Sequence, residues 1–362
     1  MNCHCQFLEP AFWHDGPCYV MHNTCSRDGG HTELEQWVMG QNYLKNHVLF
    51  QTSGSSGAAK WVALSKSALI ASGREVNKSL GIETGARWGL ALPIHHVGGF
   101  GVLVRSFLSG CHCHVFHQKW SPMAFTRFVY EHKCECLSLV PTQVADLISS
   151  SCIAPCCVKM VVVGGGSLSD EQYKKAKALG WPILRSYGMT EAASQIATGD
   201  LADGYLRILN GWETRVDASG VLQWRGAAGF SGYVIEEDCA FSFIDPKVDG
   251  WFTTQDLVEL DGDGIRVLGR TDSLVKVLGE LVDTTSIERR IEQQTSCRAI
   301  VLTIADARRG MKLIAVLESS NAIELKGFRG VETLGEVHTL CAFPRSALGK
   351  IQRASIRAKL GL

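Results

Sequence analysis

Apolar residues recur along this chain at two spacings, and each spacing predicts an element. In residues 32–45, Leu34, Trp37, Val38 and Leu44 share one helical face, and Thr32 with Glu35 supplies a capping-box start. Residues 47–51 (HVLFQ) predict a short strand. Residues 65–82 predict an amphipathic helix, and 87–94 (RWGLALPI) a buried strand that ends in HHVGGFG. A helix over 102–110 closes at Gly110, and CHCHVFH (111–117) follows as a strand. Residues 125–135 read as helix, 136–140 as a strand stopped by Pro141, and 142–150 as helix. Residues 158–166 form a strand that breaks into glycines. A helix over 169–180 has Ser169 as its cap and Gly180 as its stop, and 182–188 is a strand again. Strands alternating with helices of this length imply a largely parallel α/β layer.

The texture changes after about Thr198. Short strands with Gly and Asp turns replace the long helices, and DGDG (261–264) between alternating runs signals a hairpin. From Thr271 the pattern is mixed again: a strand, a helix through 286–295, strands over 299–306 and 312–318, then a basic tail. The fold class is therefore α/β. A large N-terminal domain (1–271) of mostly parallel sheets with flanking helices carries a small β-rich subdomain. A small α+β domain (272–362) follows.

Composition narrows the function. At 362 residues, two domains are the natural division. Lys+Arg and Asp+Glu are both 36, so no bulk positive charge speaks for a nucleic-acid partner. No apolar run nears the roughly 18 residues of a membrane span. MNCHCQFLEP lacks a secretory leader's pattern, so a cytoplasmic protein is expected. Most of the 14 cysteines then read as small buried hydrophobes in a reducing compartment. Cys111, His112, Cys113, His114 and His117 offer soft metal ligands. Alternation along a strand sends them to opposite faces, and plain strand residues are the simpler reading.

Six polar or glycine-rich clusters fall after predicted strands, where open α/β sheets bind ligands. TSGSSGAAK (52–60) combines glycines, hydroxyls and Lys60, which suits phosphate; a flexible surface linker is the bland alternative. It is not a Walker loop, which needs G-x-x-x-x-G-K-[ST]. GGGSLS (164–169) lets a flat ring approach the backbone, or is a tight turn before a helix. SYGMTEAA (186–193) offers the Tyr187 ring and sets Thr190 beside Glu191, suited to a phosphate and its magnesium ion; a capped helix start is the alternative. TTQD (253–256) places an Asp after a turn, where it can bind a ribose diol. GRTD (269–272) and PRSALGKIQR (344–353) complete the series, the last with a lysine placed to meet transition-state charge.

In this order the six clusters resemble the motifs of the adenylate-forming superfamily, which includes acyl-CoA synthetases, luciferases and peptide-synthetase adenylation domains. The resemblance runs from about residue 47 to the end of the chain. It implies that Thr52, Ser53, Gly54, Ser55, Ser56, Gly57 and Lys60 hold the β- and γ-phosphates of ATP. Gly164, Gly165 and Gly166, with Ser186, Tyr187, Gly188 and Met189, would form the adenine side of the ATP site. Asp256 and Arg270 would bind ribose, Thr190 the α-phosphate and Glu191 the Mg2+. Lys350 would bridge the acid's carboxylate and the α-phosphate as the acyl-adenylate forms. Asp272 would be the hinge on which the small domain turns to build a thioester site for coenzyme A.

LPIHHVGGFGVLVRSFLSG (92–110) is most similar to the corresponding segment of the o-succinylbenzoate–CoA ligases of menaquinone biosynthesis. That likeness implies an acid pocket with His96 and Gly98 in its lining and His95 as packing. Arg105 would grip a second carboxylate in two-point fashion, unless it only caps a helix surface. Other expectations remain open: another aryl- or fatty-acyl-CoA synthetase, an adenylation enzyme loading a carrier-protein thiol, or a non-enzymatic adenylate binder. No carrier module follows Leu362, and Lys350 and Glu191 are both present. Relatives are often oligomers, so a homo-oligomer is possible on this likeness. Two departures stand out. Residues 1–51 are a short lead-in for this superfamily, implying a trimmed N-terminal subdomain. Gln255 replaces the usual glycine and would tighten the turn beside Asp256.

Overall fold

The Thr32 capping box forms as read, with Thr32 Oγ1 accepting the Glu35 N–H at 3.3 Å and Glu35 Oε2 accepting the Thr32 N–H at 2.7 Å. The helix behind it, Glu33–Met39, stops at Gly40, and Asn42–Leu44 makes a separate 3-10 turn. These elements come from a computed structural model that describes residues 5–22, 32–53, 59–200, 204–346, 349 and 351–362. The chain forms two compact units. One comprises Met1–Arg215, Gln223–Thr253 and Leu260–Arg266, and the other Val216–Leu222, Thr254–Glu259 and Val267–Leu362.

The first unit contains the expected parallel layer. Its strands run in the order His112–Val115, Arg87–Leu90, Cys136–Leu139, Met160–Val163 and Ile183–Tyr187, all parallel. Ala197–Gly199 and Leu206–Ile208 extend it in antiparallel fashion. Helices Pro122–Glu131 and Pro141–Ser149 begin on prolines, whose missing N–H costs nothing in a first turn. Phe125, Val129, Leu137, Val161 and Trp181 fill one core between sheet and helices. Each such side chain contributes about 1.5–3 kcal/mol on burial.

Two boundaries differ from expectation. The strand over 87–94 ends at Leu90, and the helix expected from 102 begins at Val97. Gly98, Gly99 and Gly101 are thus helical and do not form a loop. Gly99 is required by proximity, since a Cβ there would lie 2.3 Å from the Pro93 carbonyl oxygen. The outer side of this helix is covered by the N-terminal segment: Phe7 and Phe12 meet Phe100 edge-on, and Trp13 stacks on Phe107 at 5.4 Å.

The second sheet of this unit orders Tyr19–Met21, His47–Ser53, Ala59–Ser65, Gly232–Glu237 and Ala240–Ile244. The first pair is parallel and the rest antiparallel. Ala59–Ser65 was absent from the sequence reading because Trp61, Val62, Ala63 and Leu64 are all buried, which erases the period-two signal. It pairs antiparallel with His47–Ser53, with Thr52 opposite Lys60 and Ser53 opposite Ala59.

In the second unit, strands Ala299–Asp306 and Gly310–Glu318 pair antiparallel, and Leu334–Leu340 joins in parallel. Alternation sorts their side chains cleanly. Val301, Leu313 and Ala315 face Ile287 and Ile291 of helix Thr284–Thr295. Ile300, Ile314 and Val316 pack with Phe343 and with Ile356 of helix Arg353–Leu360. The described cysteines are free thiols. Among the described residues no three His, Cys, Asp or Glu side chains are grouped to hold a metal ion, and no helix is long and apolar enough to cross a membrane.

Candidate active site

Lys60 sits in Ala59–Ser65 opposite Ile235, while Tyr233 on the same strand of the partner lies opposite Val62. Lys60 and Tyr233 are therefore diagonal neighbours on one face, a spacing that long side chains bridge. The Lys60 Nζ stands 3.2 Å from the centre of the Tyr233 ring. The phenol donates to Glu191 Oε1 at 2.8 Å. Burial lowers the Lys60 pKa below the ordinary lysine value, and the charge of Glu191 opposes that shift. Burial, then the Glu191 carboxylate, pushes the Tyr233 pKa upward, which keeps the phenol a donor. Tyr233 escaped the sequence reading, since nothing local marks a tyrosine that meets a motif 42 residues away.

Glu191 and Thr190 occupy a 3-10 turn, Thr190–Ala192, and not the capped helix start that the sequence allowed. Ala193 (φ 48°) and Ser194 (φ 109°) reverse the chain in left-handed conformations. Ser194 N–H donates to the Met189 carbonyl at 3.2 Å, and Ile196 N–H to that of Tyr187 at 2.8 Å. The turn closes so tightly on Gly188 that a Cβ there would lie 1.7 Å from the Ser194 carbonyl oxygen.

The two glycine and serine stretches assigned to adenine meet at the carboxyl ends of adjacent parallel strands, where Val163 pairs with Arg185. Ser186 Oγ donates to the Val163 carbonyl at 3.2 Å, and a Cβ on Gly164 would fall 2.5 Å from that hydroxyl. Gly165 turns at φ 77°, beyond which Gly166 stays exposed. The result is an open backbone ledge flanked by the half-buried Tyr187.

In the second unit, Arg270, Asp256 and Asp272 form one network. Arg270 donates to Asp256 Oδ1 at 3.0 Å and grips both Asp272 oxygens at 3.0 and 2.9 Å. Its Nη2 also donates to Gln255 Oε1 at 2.7 Å. The paired carboxylates raise the Arg270 pKa, with Asp272 the largest cause. Asp256 is buried and its N–H donates to Thr254 Oγ1. Gln255 and Asp256 lie inside the strand Phe252–Asp261, so the expected turn at TTQD is absent, and Gln255 tightens nothing. Its side chain instead adds a ligand to the arginine.

His96 is the N-cap of helix Val97–Leu108, with its ring 4.4 Å from that of His95. Burial lowers the His95 pKa, and its Nε2 has no partner. Gly98 is half-buried in the first turn, with Leu92 Cδ1 3.8 Å from where a Cβ would stand. Arg105 is not a surface cap. It is 2 % exposed, lies 4.8 Å over the Trp88 ring, and leaves Nε and Nη2 unpartnered. Burial draws its pKa down to about 10, still above neutrality. Beside it is a cavity of about 10 Å³ lined by Ser72, Gly101 and Ser194 among others, room for about one water. Gly54, Ser55, Ser56, Gly57 and Lys350 lie outside the described residues.

Residues 46–221 match the pattern of the AMP-binding enzyme family. The chain is 25 % identical over 384 aligned positions to a 2-succinylbenzoate–CoA ligase of Bacillus pumilus, covering 98 % of this chain and 77 % of the relative. It is 29 % identical to a probable 2-succinylbenzoate–CoA ligase of Mycobacterium tuberculosis, covering 85 % and 83 %. Its fold superposes on that of o-succinylbenzoate CoA synthetase from Bacillus subtilis, solved with the acyl-adenylate OSB-AMP, with a TM-score of 0.74, 24 % identity, and 86 % and 68 % of the two chains covered. The same enzyme solved with ATP and a magnesium ion gives a TM-score of 0.74. The glycine ledge and the Thr190–Glu191 turn lie inside the matched span, and residues 46–221 of this chain carry the pattern of the AMP-binding enzymes.

Proposed function

We propose that this protein is an ATP-dependent acid–CoA ligase acting on o-succinylbenzoate in menaquinone biosynthesis. The acid's carboxylate displaces pyrophosphate from ATP to give an acyl-adenylate. The thiol of coenzyme A then displaces AMP to give the thioester. One observation carries the first step: Lys60 over the ring face and Glu191 at the hydroxyl are both held by one tyrosine, Tyr233. A lysine and a hard carboxylate set this close suit the phosphates and the Mg2+ ion of ATP. Tyr233 uses one of the roughly four acceptor sites of the Glu191 carboxylate, so the donor set fits the ion. Bound there, Mg2+ would neutralise phosphate charge. Thr190 would meet the α-phosphate, the ledge at 164–166 and 186–189 would take adenine, and Asp256 with Arg270 the ribose. Lys350 would stabilise the charge that develops in adenylation. Residues 272–362 would act as the mobile domain, with Asp272 as hinge. The reading assigns the enzyme to the cytoplasm, where ATP and CoA are supplied and thiols stay reduced.

The substrate assignment draws on the relatives and on Arg105. A buried guanidinium without a protein carboxylate is costly unless something pairs with it. The adjoining cavity holds one water-sized group. A second carboxylate would reach Arg105 through a bridging water or after a shift of the Ser194 turn. Arg105→Met is expected to raise the KM for o-succinylbenzoate roughly 10- to 100-fold, the value of a hydrogen bond to a charged group. Thermal stability should hold, because an apolar replacement relieves an unpaired buried charge. An unchanged KM would remove Arg105 from the acid site.

The direct test supplies purified protein with ATP, Mg2+, CoA and o-succinylbenzoate and follows pyrophosphate and thioester together. Both products are expected. Pyrophosphate alone would point to a different acceptor thiol. No product from this acid, with turnover of other aryl or fatty acids, would overturn the substrate.

A further inference from the structure

We propose that Tyr233 is a positioning residue of the ATP site: it keeps Lys60 and Glu191 near each other yet apart, and so available to ligand. This deepens the adenylation reading and rests on it. Among the described residues Lys60 and Glu191 form no ion pair with each other, and both instead contact the one Tyr233 side chain. One face receives the ammonium at 3.2 Å, and the hydroxyl at its edge holds the carboxylate at 2.8 Å.

That side chain is itself fixed. Tyr233 is 7 % exposed, and its ring packs on Phe230 at 4.8 Å between centroids. The backbone carbonyl of Glu191 accepts the Phe230 N–H at 2.8 Å, so the metal-binding turn is tied to the 230–233 segment at two points. Lys247 locks the same segment by donating to the Phe230 and Ser231 carbonyls at 2.9 and 3.0 Å. A lysine and a glutamate this close would otherwise be free to collapse into a direct pair, each neutralising the charge that the other needs for phosphate and metal. An aromatic face stabilises the cation without supplying a counter-charge. A phenol holds the carboxylate without neutralising it.

The two contacts separate by mutation. Tyr233→Phe keeps the ring under Lys60 and frees Glu191. Tyr233→Leu removes both contacts. MgATP binding to the full chain, measured by calorimetry across a Mg2+ titration, needs no knowledge of the acid. Tyr233→Phe is expected to raise the half-saturating Mg2+ concentration about tenfold. Its ATP affinity at saturating Mg2+ should stay within about twofold of wild type, given the retained cation–π contact. Tyr233→Leu should also weaken ATP at saturating Mg2+ by about tenfold, and the Phe variant is then the conservative rescue of that loss. If both variants lose only melting temperature and bind MgATP as wild type does, Tyr233 is structural and the inference falls alone. A wild-type protein that binds no MgATP would remove the proposed function and this inference with it.

Discussion

Lys350→Ala is expected to lower pyrophosphate formation by about 10²- to 10³-fold while leaving thioester formation from a supplied acyl-adenylate within about tenfold of wild type. The reason is chemical. Adenylation brings a carboxylate and a polyphosphate together, two groups of like charge, and moves charge through the α-phosphorus. A lysine that bridges them lowers that barrier most where charge peaks. Thioester formation begins from an adenylate whose carboxylate charge has been esterified away, so the same cation has little left to stabilise. The measurement is a pair of half-reactions on one preparation: exchange of labelled pyrophosphate into ATP, and release of AMP from supplied adenylate and CoA. Equal loss in both would contradict the division of labour, and with it the role given to Asp272 and the 272–362 domain.

Among the described glycines, Gly188→Ala should be the most damaging single methyl. Its Cβ would meet the Ser194 carbonyl oxygen at 1.7 Å, the Ser194 carbonyl carbon at 2.7 Å and the Gln195 Cα at 2.8 Å. All three are backbone atoms, so no side chain can swing away. Relief requires opening the reversal at Ala193 and Ser194, which carries Thr190 and Glu191 on one side and borders Arg105 on the other. Overpacking of this kind costs about 3 kcal/mol, a fall of roughly 5–10 °C in melting temperature. ATP-dependent activity should drop by more than the stability loss explains, because Thr190 and Glu191 move with the turn. Differential scanning calorimetry beside the exchange assay separates the two effects. A variant with wild-type melting and activity would show that the turn gives way freely.

Much of this was legible locally. Caps at Thr32 and Ser169 and the stop at Gly180 lie within a few residues of the groups they satisfy, so sequence spacing alone places them. Signals failed where burial or distance intervened. Ala59–Ser65 is covered on both faces and shows no alternation. The glycines at 98–101 looked like a loop because the reason for them, the Pro93 carbonyl, is a tertiary contact. Arg105 was open to reading as a surface residue, yet Phe100, Val102, Leu103 and Val104 around it are apolar on every side of the helix, which marks a buried one. TTQD reads as a turn ahead of an aspartate, whereas it lies inside the strand Phe252–Asp261. Tyr233 and the shared Arg270 network were not legible, because strand register and side-chain reach create them.

The sheet carrying Lys60 closes late in synthesis. His47 Nε2 meets Ser231 Oγ at 2.7 Å across 184 residues, and Ala59–Ser65 gains its second neighbour only from Gly232–Glu237. At roughly 5–20 residues per second, a ribosome needs about 10–40 s to deliver that neighbour. For that time the nascent chain presents an open strand edge rich in Trp61, Val62 and Leu64, which is a template for pairing with other chains. A message cut short after residue 221 would carry Lys60, the ledge and Glu191, and would still be a polypeptide for chaperones and proteases to handle.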